Sequence, residues 1–163
     1  MAKERVLIAV KTYPTLSQKY AELVCTAGFK QDGSWIRIYP SPFRFLTDSQ
    51  RYRKYQWIEL ELAKNARDPR PESYSPVNID DITLGKLVGT EHGWASRKEL
   101  IFSSNKIYEN LETIIAGAKS NKFSLVIFKA ARILDFIVEA TESDWEIGKL
   151  EAARAALGSG LID

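Results

Sequence analysis

Trp35, Arg37 and Tyr39 alternate with Ile36 and Ile38 in residues 34–39. In an extended strand every second side chain lies on one face. The run therefore sets a ring, a guanidinium and a second ring side by side. Flat rings stack on unpaired bases, and cations hold phosphate oxygens. The surrounding residues 29–57 read FKQDGSWIRIYPSPFRFLTDSQRYRKYQW and continue the theme with Arg44, Arg51, Arg53 and Lys54. Within residues 30–57 six bases meet only two acids, Asp32 and Asp48. Farther on, Arg67 and Arg70 sit in a proline-rich stretch and can act as a basic flap on the same surface.

Other residue types suggest chemistry more weakly. Glu59 and Glu61 share one face of an alternating strand, with Lys64 after them and Asp68 and Glu72 in the following loop. Two carboxylates and a lysine around Mg²⁺ are nuclease machinery. In ELELAK, however, the lysine falls on the opposite face from the acids. His92 is the only histidine and Cys25 the only cysteine, so no zinc set exists and no internal disulfide can form. The chain has no Walker loop, dinucleotide fingerprint or serine elbow. No metal or cofactor is expected.

Charge is uneven along the chain. The net of +2 hides a net of +4 in residues 30–57, +4 in residues 83–132 and −5 in residues 133–163. The second basic segment reads as solvated helix faces. No stretch approaches the ~20 apolar residues of a membrane span, and the lone cysteine suits a reducing cytoplasm.

The positioning elements follow from periodicity. Residues 5–12 form a buried apolar strand. Thr15 caps a helix that carries Leu16, Tyr20, Leu23, Val24 and Ala27 on one side and ends at Gly28. Gln31-Asp-Gly-Ser34 turns the chain into the strand 34–39. A short helix over 47–55 leads to the strand 56–62, whose Ile58, Leu60 and Leu62 face inward. Residues 67–76, with three prolines, form an exposed loop. Residues 79–88 are ambiguous. Helices are predicted over 95–103 and over 105–118, the latter capped by Asn105. Residues 123–128 and 133–139 are strands, joined as a hairpin or as one bent strand, and residues 144–157 form an acidic amphipathic helix.

This pattern predicts a single α+β domain over residues 1–163, with an acidic helix and tail at 144–163. Its mixed, mainly antiparallel sheet can curl into a small, partly open barrel, flanked by about four helices. The leading functional expectation is a cytoplasmic, non-catalytic nucleic-acid-binding domain acting through Trp35, Arg37, Tyr39, Arg44, Arg51, Arg53, Lys54 and Arg70. The alternatives are an enzyme acting on nucleic acid or a nucleotide, of the metal-dependent nuclease type, and a protein-interaction module. The module would offer the same aromatics as a hot spot or use the acidic C-terminal helix. No membrane partner is expected.

Overall fold

β1 (Glu4–Lys11) buries Val6, Leu7 and Ile8 completely, which requires cover on both of its faces. A computed structural model of the chain shows how this is achieved; it describes residues 3–12, 15–17, 21–41, 43, 46–140, 147–148, 150–151 and 155. The further strands of the main sheet are β2 (Thr15–Ser17), β3 (Ala21–Lys30), β4 (Trp35–Ser41), β5 (Gln56–Leu60), β6 (Leu62–Lys64), β7 (Ser73–Pro76) and β8 (Thr83–Leu87). Their order is β6-β7-β4-β3-β1-β5-β8, with β2 paired to β3. All neighbours are antiparallel except β4 and β7, which run parallel through Arg37↔Ser73 and Ile38↔Tyr74.

The sheet curls into a half-barrel. Register shifts interrupt the β1–β3, β3–β4 and β5–β8 ladders, and such bulges increase local twist and bend. One bent run of chain draws the two sides together. Its first part, β5, pairs with β1; Glu61 follows; its second part, β6, pairs with β7. The concave side holds the main core of Val6, Ile8, Ile36, Ile38, Ile58, Leu60 and Leu62, closed by Leu46, Tyr52 and Ile82. The convex side carries Leu7, Phe29 and Val88, with Trp35, Tyr55 and Trp57 packed against them. Leu100 and Ile101 of helix α1 (Glu91–Phe102) cover part of that face.

The helix predicted after Thr15 is instead β2 and β3. Val24 and Ala27 satisfy a helical spacing, but Leu23, Cys25, Ala27 and Phe29 also fall at every second position, and pairing with β1 and β4 on both sides decides between the two. Gly28 ends no helix. It lies beside β1, opposite Ile8, where a Cβ would run into the carbonyl oxygen of Leu7. The predicted helix over 47–55 is a series of turns. Part of the proline-rich loop is the strand β7, and the ambiguous residues 79–88 form a 3₁₀ turn (Ile79–Asp81) and β8.

Among the described residues two bounded α-helices stand in place of the about four helices expected. In α1, His92, Gly93 and Trp94 have φ of 52°, 64° and 69°, so the right-handed helix starts after Trp94. Helix α2 (Leu111–Lys119) is shorter than predicted and is capped by Asn110, whose side chain accepts from the Thr113 N–H. Ile107 belongs to β9 (Ile107–Tyr108), which pairs in parallel with β10 (Ile127–Phe128) across α2. Residues 133–139 form neither a hairpin nor a bent strand. Ile133, Leu134, Phe136, Ile137 and Val138 are 72–85% exposed. The predicted helix over 144–157 lies largely outside the described residues.

Tyr52 fixes the turn 47–55 to the sheet. Its phenol oxygen is 2.7 Å from Thr26 Oγ1 and 3.1 Å from Ser41 Oγ, and all three residues are buried. Burial pushes the phenol pKa up, so the group stays neutral. Tyr52→Phe leaves two buried hydroxyls without this partner and is expected to cost roughly 1–2 kcal/mol. Urea unfolding should show a lower midpoint with an unchanged slope; an unchanged midpoint would show that the triad contributes nothing.

Candidate functional site

Strand β4 presents Trp35, Arg37 and Tyr39 on its convex face, because Ile36 and Ile38 fill the concave core. Each member of the row has a definite setting. Trp35 leans on Phe29, with ring centroids 4.2 Å apart and planes at 42°. The Arg37 guanidinium lies 4.8 Å from the Tyr39 ring centroid. It also donates to Asp68 Oδ2 at 2.8 Å and to Ser73 Oγ at 3.3 Å, and its side chain is only 12% exposed. Arg37 is therefore committed to the protein.

Asp68 organises the loop over residues 65–72. Its carboxylate accepts from Arg37, from Ser73 Oγ at 2.7 Å, and from Arg70 Nε and Nη2 at 2.7 and 2.8 Å. The backbone N–H of Arg70 donates to it as well. The bonds from Arg70, and then the one from Ser73, hold the Asp68 carboxyl well below the usual carboxylate range, and Asp68 in turn raises Arg70. Asn65 starts the loop by accepting from the Arg67 N–H at 3.1 Å, while Pro69 and Pro71 restrict its backbone.

The loop and the Tyr39 end of the row enclose a cleft of about 720 Å³, also lined by Lys64, Arg67 and Arg70. Three cations and one acid line it, a net of +2. Arg67 is exposed. Lys64 donates to the carbonyl of Pro71, and its ammonium lies 4.7 Å from the Tyr74 ring centroid, with Lys30 at 4.5 Å from the same ring. Asp68 adds no open coordination position, since its oxygens already serve two guanidiniums and a hydroxyl.

A second cleft of about 320 Å³ opens at the Trp35 end of the row. Its walls include Trp35, Tyr108, Phe123, Lys106 and Lys122. Tyr108 and Phe123 have ring centroids 5.3 Å apart, and the Lys106 ammonium is 4.7 Å from the Tyr108 ring. Two contacts seat this part of the chain. Asn105 donates to the carbonyl oxygens of Gly33 and Ile101 at 3.0 and 2.9 Å, rather than capping a helix as expected. Glu72 accepts from the N–H and the hydroxyl of Ser124, both at 2.9 Å.

A family described as a domain of unknown function, DUF8758, matches residues 2–103. The chain belongs to that family. No curated protein and no solved structure matches the chain. The DUF8758 match contains the whole lining of the larger cleft. The smaller cleft takes Ser34, Trp35, Pro71 and Glu72 from inside the match and its remaining walls from beyond residue 103.

The other predicted binding residues are dispersed. Arg44 lies outside the described residues. Arg51 pairs with Asp48 at 2.9 Å, and Arg53 and Lys54 are exposed on the same turn. None of these three lines either cleft. Their neighbour Lys11 packs 4.1 Å from the Phe43 ring centroid, and burial, then the Lys54 charge, lowers its pKa. The acids of the nuclease alternative are also apart in role. Glu59 lies 3.8 Å from Arg5, Glu72 holds Ser124, and Asp68 holds the loop. Among the described residues no three histidine, cysteine or acidic side chains cluster as metal ligands. His92 is exposed on the left-handed turn, and Cys25 lies in β3. Sequence reasoning missed Lys106, Tyr108, Lys122 and Phe123 as site residues. The signal available was two short basic–aromatic pairings, Lys106-Ile-Tyr108 and Lys122-Phe123.

Proposed function

We propose that this domain binds nucleic acid without catalysis, its cations holding phosphates and its half-buried rings stacking on bases. The observation that carries this reading is the single row Trp35–Arg37–Tyr39, which runs on the half-barrel surface into a cleft lined by Lys64, Arg67 and Arg70. Arg37 serves the site by position: bonded to Asp68, it ties the row to the loop that carries Arg67 and Arg70. Phosphate contact falls to the cations that line the cleft, Lys64, Arg67 and Arg70. Among the described residues no helix is long and apolar enough to cross a membrane. A cytoplasmic setting, in keeping with a lone cysteine, is part of the proposal.

Fluorescence anisotropy with labelled single- and double-stranded DNA and RNA at two salt concentrations tests this reading. Three phosphate contacts predict a log–log salt slope of about −2 on single strands. Absence of binding to all four probes at low salt would overturn it. The same mixtures with Mg²⁺ or Mn²⁺ are expected to keep every probe intact, because Asp68 and Glu72 are already committed to other partners. Cleavage abolished by Glu59→Gln and by Glu61→Gln would favour the nuclease instead.

One observation favours a protein partner as the second reading. The exposed apolar side chains of residues 133–138 form the kind of surface that binds other apolar surfaces. Capture of a partner that is insensitive to salt and lost in Phe136→Asp would support it.

A further inference from the structure

We infer that the cleft at the Trp35 end of the row receives an unpaired nucleobase, which makes the ligand a single strand or an unpaired loop. This inference rests on the nucleic-acid reading and specifies the part of the ligand that the second cleft would take.

Four features support it. The rings of Trp35, Tyr108 and Phe123 all contribute walls, and ring faces are what a base stacks on. The cleft, about 320 Å³, is sized for one small planar group and excludes a helical stem. A base inside a duplex has both faces stacked and offers none to an aromatic wall, whereas an unpaired base can be splayed out into a pocket. Lys106 and Lys122 are exposed residues of the lining, placed to meet the phosphates on either side of an inserted base. Glu72, the acid of the lining, has both carboxylate oxygens bonded by Ser124, so it does not compete for those lysines.

The geometry of the row adds a spacing. From Trp35 to Tyr39 a strand rises about 13 Å. The two clefts thus lie at opposite ends of a short track, with phosphate-binding cations at both. A flexible single strand can run from one to the other. A stacked helix, with its bases turned inward, cannot enter the smaller cleft while its backbone lies in the larger.

The decisive experiment needs no change to the protein. Binding of a short single-stranded oligonucleotide is compared with that of an abasic strand of the same length and charge. Loss of stacking predicts binding weaker by roughly 5- to 150-fold, with the salt slope preserved. Equal binding of the abasic strand overturns the base pocket while leaving phosphate binding in place. No binding of either strand overturns both readings.

A strand containing 2-aminopurine supplies a second measurement. Its fluorescence should change on binding, and the change should be lost in Tyr108→Ala. A Lys122→Gln variant, changed at an exposed position, should weaken binding and lower the slope by about 0.7. A fluorescence change that survives in Tyr108→Ala, or Lys122→Gln with wild-type affinity and slope, would overturn the assignment. The free 2-aminopurine nucleotide separates the two sources of a base. The expected result is much weaker binding than the strand, and equal affinity would overturn the assignment to a strand.

Discussion

Asp68→Ala is expected to cost about 3 kcal/mol of stability and to weaken oligonucleotide binding together. The carboxylate joins three side chains from two segments: Arg37 on β4, and Arg70 and Ser73 in the proline-rich segment that leads into β7. Removing it leaves the Arg37 guanidinium, with 12% of its side chain exposed, lacking its acidic partner. A stranded, half-buried cation costs more than a lost surface pair. Arg70 is 41% exposed, so its share of the loss is the smaller one. The pH dependence has a definite sign. The folded carboxyl is held below its unfolded value, so its contribution is complete above the unfolded pKa of about 3.9. It fades as pH falls below that value toward the lower folded one. The wild-type advantage over Asp68→Ala should therefore be constant from neutral pH to about pH 5 and shrink below pH 4. Urea midpoints at pH 7 and pH 3 measure this. A difference under about 0.5 kcal/mol at pH 7, the range of ordinary surface substitutions, would remove Asp68 from its organising role.

The combined change Lys64→Gln and Arg67→Gln should act on affinity instead. Each phosphate contact contributes about 0.7 to the single-strand salt slope, so two lost contacts reduce it by about 1.4. At 0.1 M salt the same relation gives roughly 25-fold weaker binding. Neither side chain bonds to Asp68, so the fold should be retained, and a thermal melt run in parallel checks this. Arg37→Ala should behave oppositely, lowering stability with little change in slope. If the double variant keeps its slope, phosphate does not enter the larger cleft.

Much of the sheet was legible in local pattern. β1 is an uninterrupted apolar run, and in WIRIY and QWIEL the alternation assigns each side chain to its face. The proline-rich segment read correctly as a loop as far as Glu72. Residues 21–30 misled because their apolar positions fit a helix and a strand equally well. Two neighbouring strands settled the matter, and those contacts are distant in sequence. The site was legible only in fragments. Tyr39 and Arg70 were singled out separately, but the parallel pairing of β4 with β7, which brings Arg37 beside Ser73, has no local signature. Lys106 and Lys122 looked like solvated charges because their placement depends on β9 and β10 meeting across α2. The basic turn around Arg51 looked more promising in sequence than its place beside the core-plugging Tyr52 allows.

The bent run β5–β6 ties folding and recognition to a common ruler. With Glu61 as its only interruption, the register of Ile58 against Val6 on one side of the half-barrel determines that of Leu62 against Pro76 on the other. A single-residue insertion beside Glu61 would turn Leu62 out of the core and Lys64 away from the larger cleft, since strand faces alternate with period two. Length variation should therefore be strongly selected against at this bend. The neighbouring loop at residues 65–72, held by Asp68, is where altered sequences would change the proposed ligand without disturbing the half-barrel.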